Sequence, residues 1–329
     1  MRIAINGMGR IGRLLFRRLI EYPEIEIVAV NDIMDPHNLA YLLQYDSVYG
    51  KFQFKIDYVK KLVVDGKIEV PYFREEDPSK LPWKQLDLDV VLECTGKFTS
   101  KKLASQHLAA GAKKVLLSTT GSDEIPLIIF GHNHQPITGN VDIVSPGGCM
   151  TNCSTHLIYL MNSIGVESVQ INVMHSYTSR QELVDAPHKD FRRGRAAAES
   201  IIPVQVDLAH SLEKFFPPLE NKIAAVTTRI PVANGALADF TFQMKEEVTA
   251  GMVNKLFKIA ANDEYRGILD YTEEPVVSLD IKGNTHSAIV DGSLTSVAGR
   301  QVKMFAFFDN EFGYTSRVID WLLFWKKFL

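Results

Sequence analysis

"RIAINGMGRIGRLLFRRL" spans Arg2–Leu19, and its reading decides the fold. A short apolar run, Arg2–Asn6, reads as a buried strand. It breaks at Gly7, Gly9 and Gly12 and passes directly into a helical pattern over Arg10–Glu21. G-x-G-x-x-G spacing alone is weak. A strand before it and a helix after it make it a dinucleotide-binding turn. Gly7 permits the tight bend, Gly9 lets backbone amides approach a pyrophosphate, and Gly12 lets helix and strand pack closely. The helix N-terminus adds partial positive charge. Asp32 ends the next strand, which begins at Ile25–Val30, at the distance expected of a carboxylate that accepts a ribose hydroxyl. The same carboxylate repels a 2′-phosphate, so the expected cofactor is NAD, with NADP disfavoured. The competing reading is a Gly-rich turn with no ligand, which leaves strand, turn and acid as a coincidence.

Working outward, "DVVLEC" (Asp89–Cys94) and "KKVLLS" (Lys113–Ser118) are further buried-strand runs, with a helical stretch at Lys101–Ala110 between them. Strand and helix in repetition predict a parallel sheet covered on both faces. Thr95 and Gly96 in "ECTGKFTS", and Ser118 in "LSTTGS", sit at carboxyl edges, where doubly wound sheets take ligands. After Cys149 the texture changes. "SVQINVMHSY", "AAVTTRIPVA" and "ADFTFQM" alternate as strands of an antiparallel sheet do, with helices on one side. The expected class is therefore α/β: a doubly wound parallel sheet plus an α+β domain with a mostly antiparallel sheet. The first domain is expected over 1–148, completed by a C-terminal helix over 313–329. The second is expected over 149–312.

Composition narrows the class of protein. At 329 residues, 46% hydrophobic and 23% charged, the chain is ordinary for a globular protein of two domains. A net charge of −3 offers no bulk attraction to nucleic acid or to an anionic membrane. Three cysteines cannot build a disulfide framework and point to a reducing, cytoplasmic setting. "MRIAINGMGRIGRLLF" lacks a basic region followed by a long apolar run, so no signal peptide is expected. No apolar run reaches a bilayer's thickness.

"SPGGCMTNCSTH" (Ser145–His156) holds two of the cysteines. A helix beginning near Cys149 would favour a thiolate and later an oxyanion. Cys149, Cys153 and His156 lie on nearly one helical face, so a metal site is the alternative; no second cysteine or histidine pair supports it. A buried, inert cysteine is the third reading and is assigned to Cys153 and Cys94. Of nine histidines, His175 closes a strand before the polar run "SYTS", which suits a catalytic base. His107, His156 and His286 read as structural or solvent-exposed, and His132 and His134 stay open.

"INGMGRIGR", "LECTGKF", "CMTNCSTHL", "VMHSYT", "DAPHKDFRRGRAAAESIIP", "TRIPVAN" and "FFDNEFGYTSRVID" occur in this order along the whole chain. Together they resemble the glyceraldehyde-3-phosphate dehydrogenase family. The resemblance implies a homotetramer whose subunits pair a Rossmann domain with a catalytic domain and oxidise a phosphorylated aldose. It implies Cys149 as nucleophile, His175 as general base and Asn152 beside the oxyanion. It implies Gly9, Arg10, Ile11, Asp32, Thr95, Phe98 and Asn310 as NAD contacts, and Thr178 and Arg229 at the substrate phosphate. Arg180 stands where the family commonly has aspartate and could reach a phosphate as well. No metal is implied.

The chain departs from the family where the thioester is resolved. Gly148 and Met150 replace a serine and a threonine, and Val206 and Asp207 replace a Thr-Gly pair. Three hydroxyl donors are lost and a carboxylate is gained, which should weaken binding of inorganic phosphate. Ala186 replaces a leucine frequent in NAD-specific members, while Asp32 and Pro187 remain of NAD type. The stretches 175–204 and 267–280 are also similar to the erythrose-4-phosphate dehydrogenases, whose thioester goes to water. Three functions follow as expectations: phosphorylating oxidation of glyceraldehyde 3-phosphate, oxidation of a sugar phosphate with water as acceptor, and an NAD-binding regulatory protein with little catalysis.

Overall fold

In the computed structural model, which describes residues 1–137 and 141–329, the opening stretch forms strand β1 (Arg2–Asn6) and helix α1 (Arg10–Leu19). Leu14, Leu15, Phe16 and Leu19 form the buried face of α1. There follow β2 (Glu26–Asn31), α2 (Pro36–Gln44), β3 (Tyr72–Phe73), β4 (Val90–Glu93), α3 (Lys101–Ala109), β5 (Lys114–Leu117) and β6 (Ile143–Val144). Local chemistry starts the helices: Asp35 accepts from the amides of His37 and Asn38 ahead of Pro36, and Ser100 accepts from Leu103. Such caps each contribute about 1 kcal/mol. The six strands lie in the order β6-β5-β4-β1-β2-β3, every neighbouring pair parallel. β4 and β5 are buried at every residue, as a sheet covered on both faces requires. The strand order reverses between β1 and β4, which opens a crevice at their carboxyl ends.

The chain divides into two compact units, Met1–Gly148 with Thr315–Leu329, and Cys149–Tyr314. The second unit holds α4 (Cys149–Asn162), β7 (Val166–Ser176), β8 (Ile202–Val204), β9 (Ile223–Ile230), β10 (Ala236–Met244), α5 (Ala250–Asn262), β11 (Leu269–Thr272), β12 (Ala288–Ala298) and β13 (Gln301–Phe308). Its sheet runs β8-β9-β7-β10-β13-β12-β11. Most pairs are antiparallel, but β7 with β9 and β11 with β12 are parallel. The sheet is thus mostly antiparallel, as expected; period-2 alternation carries no strand direction and could not single out the two parallel pairs. The long excursion between β7 and β9 supplies the crossover that a parallel pair needs.

Helix α6 (Phe312–Trp325) closes the chain. Asp309 Oδ1 accepts from the amides of Glu311 and Phe312 at its start. From Thr315 onward the helix belongs to the first unit. There Arg18 Nη1 donates to the hydroxyls of Thr315 (2.8 Å) and Ser316 (3.0 Å), and Trp321 and Trp325 are fully buried. No helix among the described residues is long and apolar enough to cross a membrane.

Candidate active site

Parallel pairing of β7 with β9 sets His175 opposite Arg229 and Ser176 opposite Ile230. An imidazole and a guanidinium therefore leave neighbouring strand ends side by side. Helix α4 begins at Cys149, whose Sγ lies 3.6 Å from His175 Nε2 and accepts from the amides of Cys149 and Met150. Asn152 is buried in the first turn of the same helix. Asn310 Oδ1 accepts from Ser176 Oγ (3.2 Å) and Gly235 N (2.8 Å), which fixes the backbone beside the histidine.

With the Ser176 hydroxyl farther off at 3.5 Å, His175 Nδ1 faces two close, competing partners. It lies 2.7 Å from the Ser176 carbonyl oxygen and 2.5 Å from Arg229 Nη1, which is itself 3.2 Å from that oxygen. A carbonyl only accepts and a guanidinium only donates, so the two contacts demand opposite tautomers. With Arg229 donating to Nδ1, the ring proton sits on Nε2 and faces the sulfur. With Nδ1–H donating to Ser176 O, the Nε2 lone pair faces the thiol. Only the second arrangement can take the Cys149 proton.

A helix N-terminus and a histidine favour a thiolate at Cys149. Burial opposes them and pushes the thiol up to about 11, outweighing Arg229 and the two amides. Burial, and then Arg229, push His175 down to about 3. Both shifts favour the proton on sulfur over the proton on the imidazole. Iodoacetamide alkylation of Cys149 in the ligand-free protein should accordingly be slow at pH 7. The thiol's pKa is raised, so thiolate is gained as pH rises, and the rate should grow about tenfold per pH unit towards pH 11. A plateau already reached near neutral pH would contradict this balance.

Arg229 is 8% exposed, and its buried Nε has no hydrogen-bond partner among the described residues. Burial, then the charges of Arg193 and Arg180, hold its pKa down to about 10 against the opposing pull of Cys149. A buried cation repelled by two others is a place that an anion would relieve. Thr178 is half-buried nearby in sequence, and its hydroxyl accepts weakly from the Arg180 amide (3.4 Å). Sequence reading missed Arg193, although the run "DFRRGR" advertised it. Arg195 is exposed and pairs with Asp185 at 2.9 Å. Cys153 and His156 are fully buried, and the His156 ring packs edge-on to Tyr265. Among the described residues, no group of three or more potential ligands could hold a metal ion.

In the first unit, a cleft of about 380 Å³ opens at the sheet's carboxyl edge. Gly7, Gly9, Asp32, Thr95 and Phe98 line it, and so do Asn6, Glu75, Glu76 and Lys97, which sequence reading passed over. Gly7 has φ +94°, and a Cβ there would sit 2.6 Å from Thr95 N. A Cβ on Gly12 would lie 2.0 Å from the Gly7 carbonyl oxygen. Gly9 differs: nothing among the described residues lies within 4 Å of its would-be Cβ. The protein's own packing does not require that glycine, so the open space beside a helix N-terminus is a cradle a dinucleotide can fill. Asp32 accepts from Met8 N (2.6 Å) and Met34 N (2.9 Å), tying the glycine turn to β2. Arg10 pairs with Asp46 at 2.5 Å. Arg10, Ile11, Gly12, Gly96 and Ser118 do not line the cleft, and Asn310 belongs to the second unit.

Two family models match the chain: "Glyceraldehyde 3-phosphate dehydrogenase, NAD binding domain" over residues 1–101 and "Glyceraldehyde 3-phosphate dehydrogenase, C-terminal domain" over residues 148–310. The chain belongs to the glyceraldehyde-3-phosphate dehydrogenase family. Similar relatives carry that name. One from Borreliella burgdorferi is 43% identical over 330 residues, covering 97% of this chain and 98% of the relative. Glyceraldehyde-3-phosphate dehydrogenase 1 of Bacillus cereus is 42% identical over 323 residues, covering 97% and 96%. For a glyceraldehyde-3-phosphate dehydrogenase family member the cofactor is NAD, and the open Gly9 cradle and Asp32 fit it.

Proposed function

We propose that the chain oxidises glyceraldehyde 3-phosphate with NAD through a covalent intermediate on Cys149. The observation that carries this reading is Cys149 Sγ at 3.6 Å from His175 Nε2, beside the buried, under-satisfied Arg229. The substrate phosphate, held with Arg180, Arg193 and Thr178, draws Arg229 away from His175 Nδ1. Nδ1–H then donates to Ser176 O, and Nε2 takes the thiol proton. The thiolate attacks the aldehyde carbon, so that the S–C bond forms and the carbonyl oxygen is protonated to a thiohemiacetal. His175 next accepts that hydroxyl proton as hydride leaves the same carbon, and the C=O of a thioester forms. NAD supplies the hydride acceptor. Attack by an acyl acceptor finally breaks the S–C bond and returns the thiolate.

The acceptor is open to a second reading. A Cβ on Gly148 would meet nothing among the described residues within 4 Å, so no steric need there excludes a serine hydroxyl. Asp207 is exposed at the head of the helix Leu208–Glu213. These departures favour water over phosphate, with erythrose 4-phosphate as the alternative substrate. A homotetramer in the cytoplasm completes the reading, on the strength of family membership and the reduced cysteines.

The test is NADH formation by purified protein with glyceraldehyde 3-phosphate and NAD, with and without inorganic phosphate. Turnover in either condition supports the oxidation. A steep phosphate requirement rejects water as acceptor, turnover indifferent to phosphate rejects the phosphorylating reading, and no NADH in either condition rejects the function.

A further inference from the structure

Beneath the NAD cleft lies a buried polar network that no step of the reaction uses. Glu93, at the end of β4, is 2% exposed, and His107 on α3 and Trp83 are fully buried. Glu93 Oε2 accepts from Asn6 Nδ2 (2.5 Å) and lies 3.0 Å from His107 Nε2. Glu93 Oε1 accepts from Thr95 N (2.7 Å) and from the Thr95 hydroxyl. Trp83 Nε1 donates to His107 Nδ1 at 3.0 Å.

An indole N–H can only donate, so His107 Nδ1 carries no proton while that bond holds, and the ring hydrogen sits on Nε2 facing Glu93. Trp83 thereby sets the polarity of the whole chain of bonds. Every group that touches the carboxylate is then a neutral donor. The Phe98 ring also packs edge-on to His107, centroids 6.0 Å apart. Asn6, Thr95 and Phe98 line the cleft, whereas Glu93, His107 and Trp83 do not. Three wall residues are thus held from one hub, His107, either directly or through Glu93.

We propose that His107, with its tautomer locked by Trp83, is a positioning residue for the cofactor: it sets NAD affinity by holding Glu93 against Thr95 and Asn6. The inference rests on the reading of this cleft as the NAD site.

The experiment measures the NAD dissociation constant by quenching of protein fluorescence, together with kcat and the KM for NAD, on full-length variants. His107→Phe keeps a ring against Phe98 but removes both polar contacts. It should weaken NAD binding at least about tenfold and raise the KM for NAD in parallel, with kcat at saturating NAD within about twofold. His107→Gln keeps one acceptor for Trp83 and one donor for Glu93, and should bind NAD within about fivefold of wild type. Trp83→Phe removes only the lock and should weaken binding by about fivefold. It decides the matter with His107→Gln if His107→Phe does not fold. NAD affinity within twofold of wild type in folded His107→Phe or Trp83→Phe, or a fall in kcat with unchanged KM for NAD, would overturn the proposal. Wild-type protein that fails to bind NAD would overturn the cofactor reading and this inference together.

Discussion

Cys149→Ser is expected to lower NADH formation from glyceraldehyde 3-phosphate by about four orders of magnitude or more, at an unchanged NAD dissociation constant. A seryl oxygen in the same place meets the same imidazole, which burial and Arg229 leave a weak base at about 3. A thiol, held up to about 11, can still be reached once Arg229 turns to the substrate. An alcohol starts from a far higher pKa and is also a poorer leaving group from the acyl stage. Both halves of the reaction therefore fail, and their losses do not add as independent terms. Rates of the variant are to be read against a mock preparation, because trace wild-type enzyme would set the floor.

Arg229→Leu should cut kcat/KM for glyceraldehyde 3-phosphate by roughly 10²–10³-fold, the scale of about 3–4 kcal/mol for losing a buried charge's contact with an anion. The buried Nε, without a partner among the described residues, and the charges of Arg180 and Arg193 mark this guanidinium as the group an anion satisfies. Unphosphorylated glyceraldehyde serves as the control. It has no phosphate to lose, so its weak turnover should not fall and should rise as His175 Nδ1 is released to Ser176 O. Equal losses with both aldehydes would mean that Arg229 supports the fold or the base and not the phosphate.

The first domain was legible because its signal is local. Gly7, Gly9, Gly12 and Asp32 sit within one strand-turn-helix-strand passage, and their spacing states their roles. The second domain was legible in period but not in direction. The alternation of β7 and β9 was plain, yet their parallel pairing, which places His175 beside Arg229, is a property of the crossover. Cys149 and His175 come from a helix start and a strand end, and it was resemblance and not spacing that joined them. The charge balance at Cys149 was only half legible: helix amides and a histidine show in sequence, whereas desolvation depends on what the rest of the chain buries. His107 was read as structural or solvent-exposed. Its partners, Glu93 and Trp83, come from separate elements, and only the fold shows that they meet under the cofactor cleft.

The most direct test of the central claim is the mass of the intact protein after acid quenching of a mixture with glyceraldehyde 3-phosphate and NAD, without inorganic phosphate. A phosphoglyceroyl adduct is expected on the peptide that contains Cys149, formed together with NADH and absent from Cys149→Ser. NADH formed at the full rate with Cys149 unmodified, or an adduct on Cys94 or Cys153 in its place, would contradict the claim.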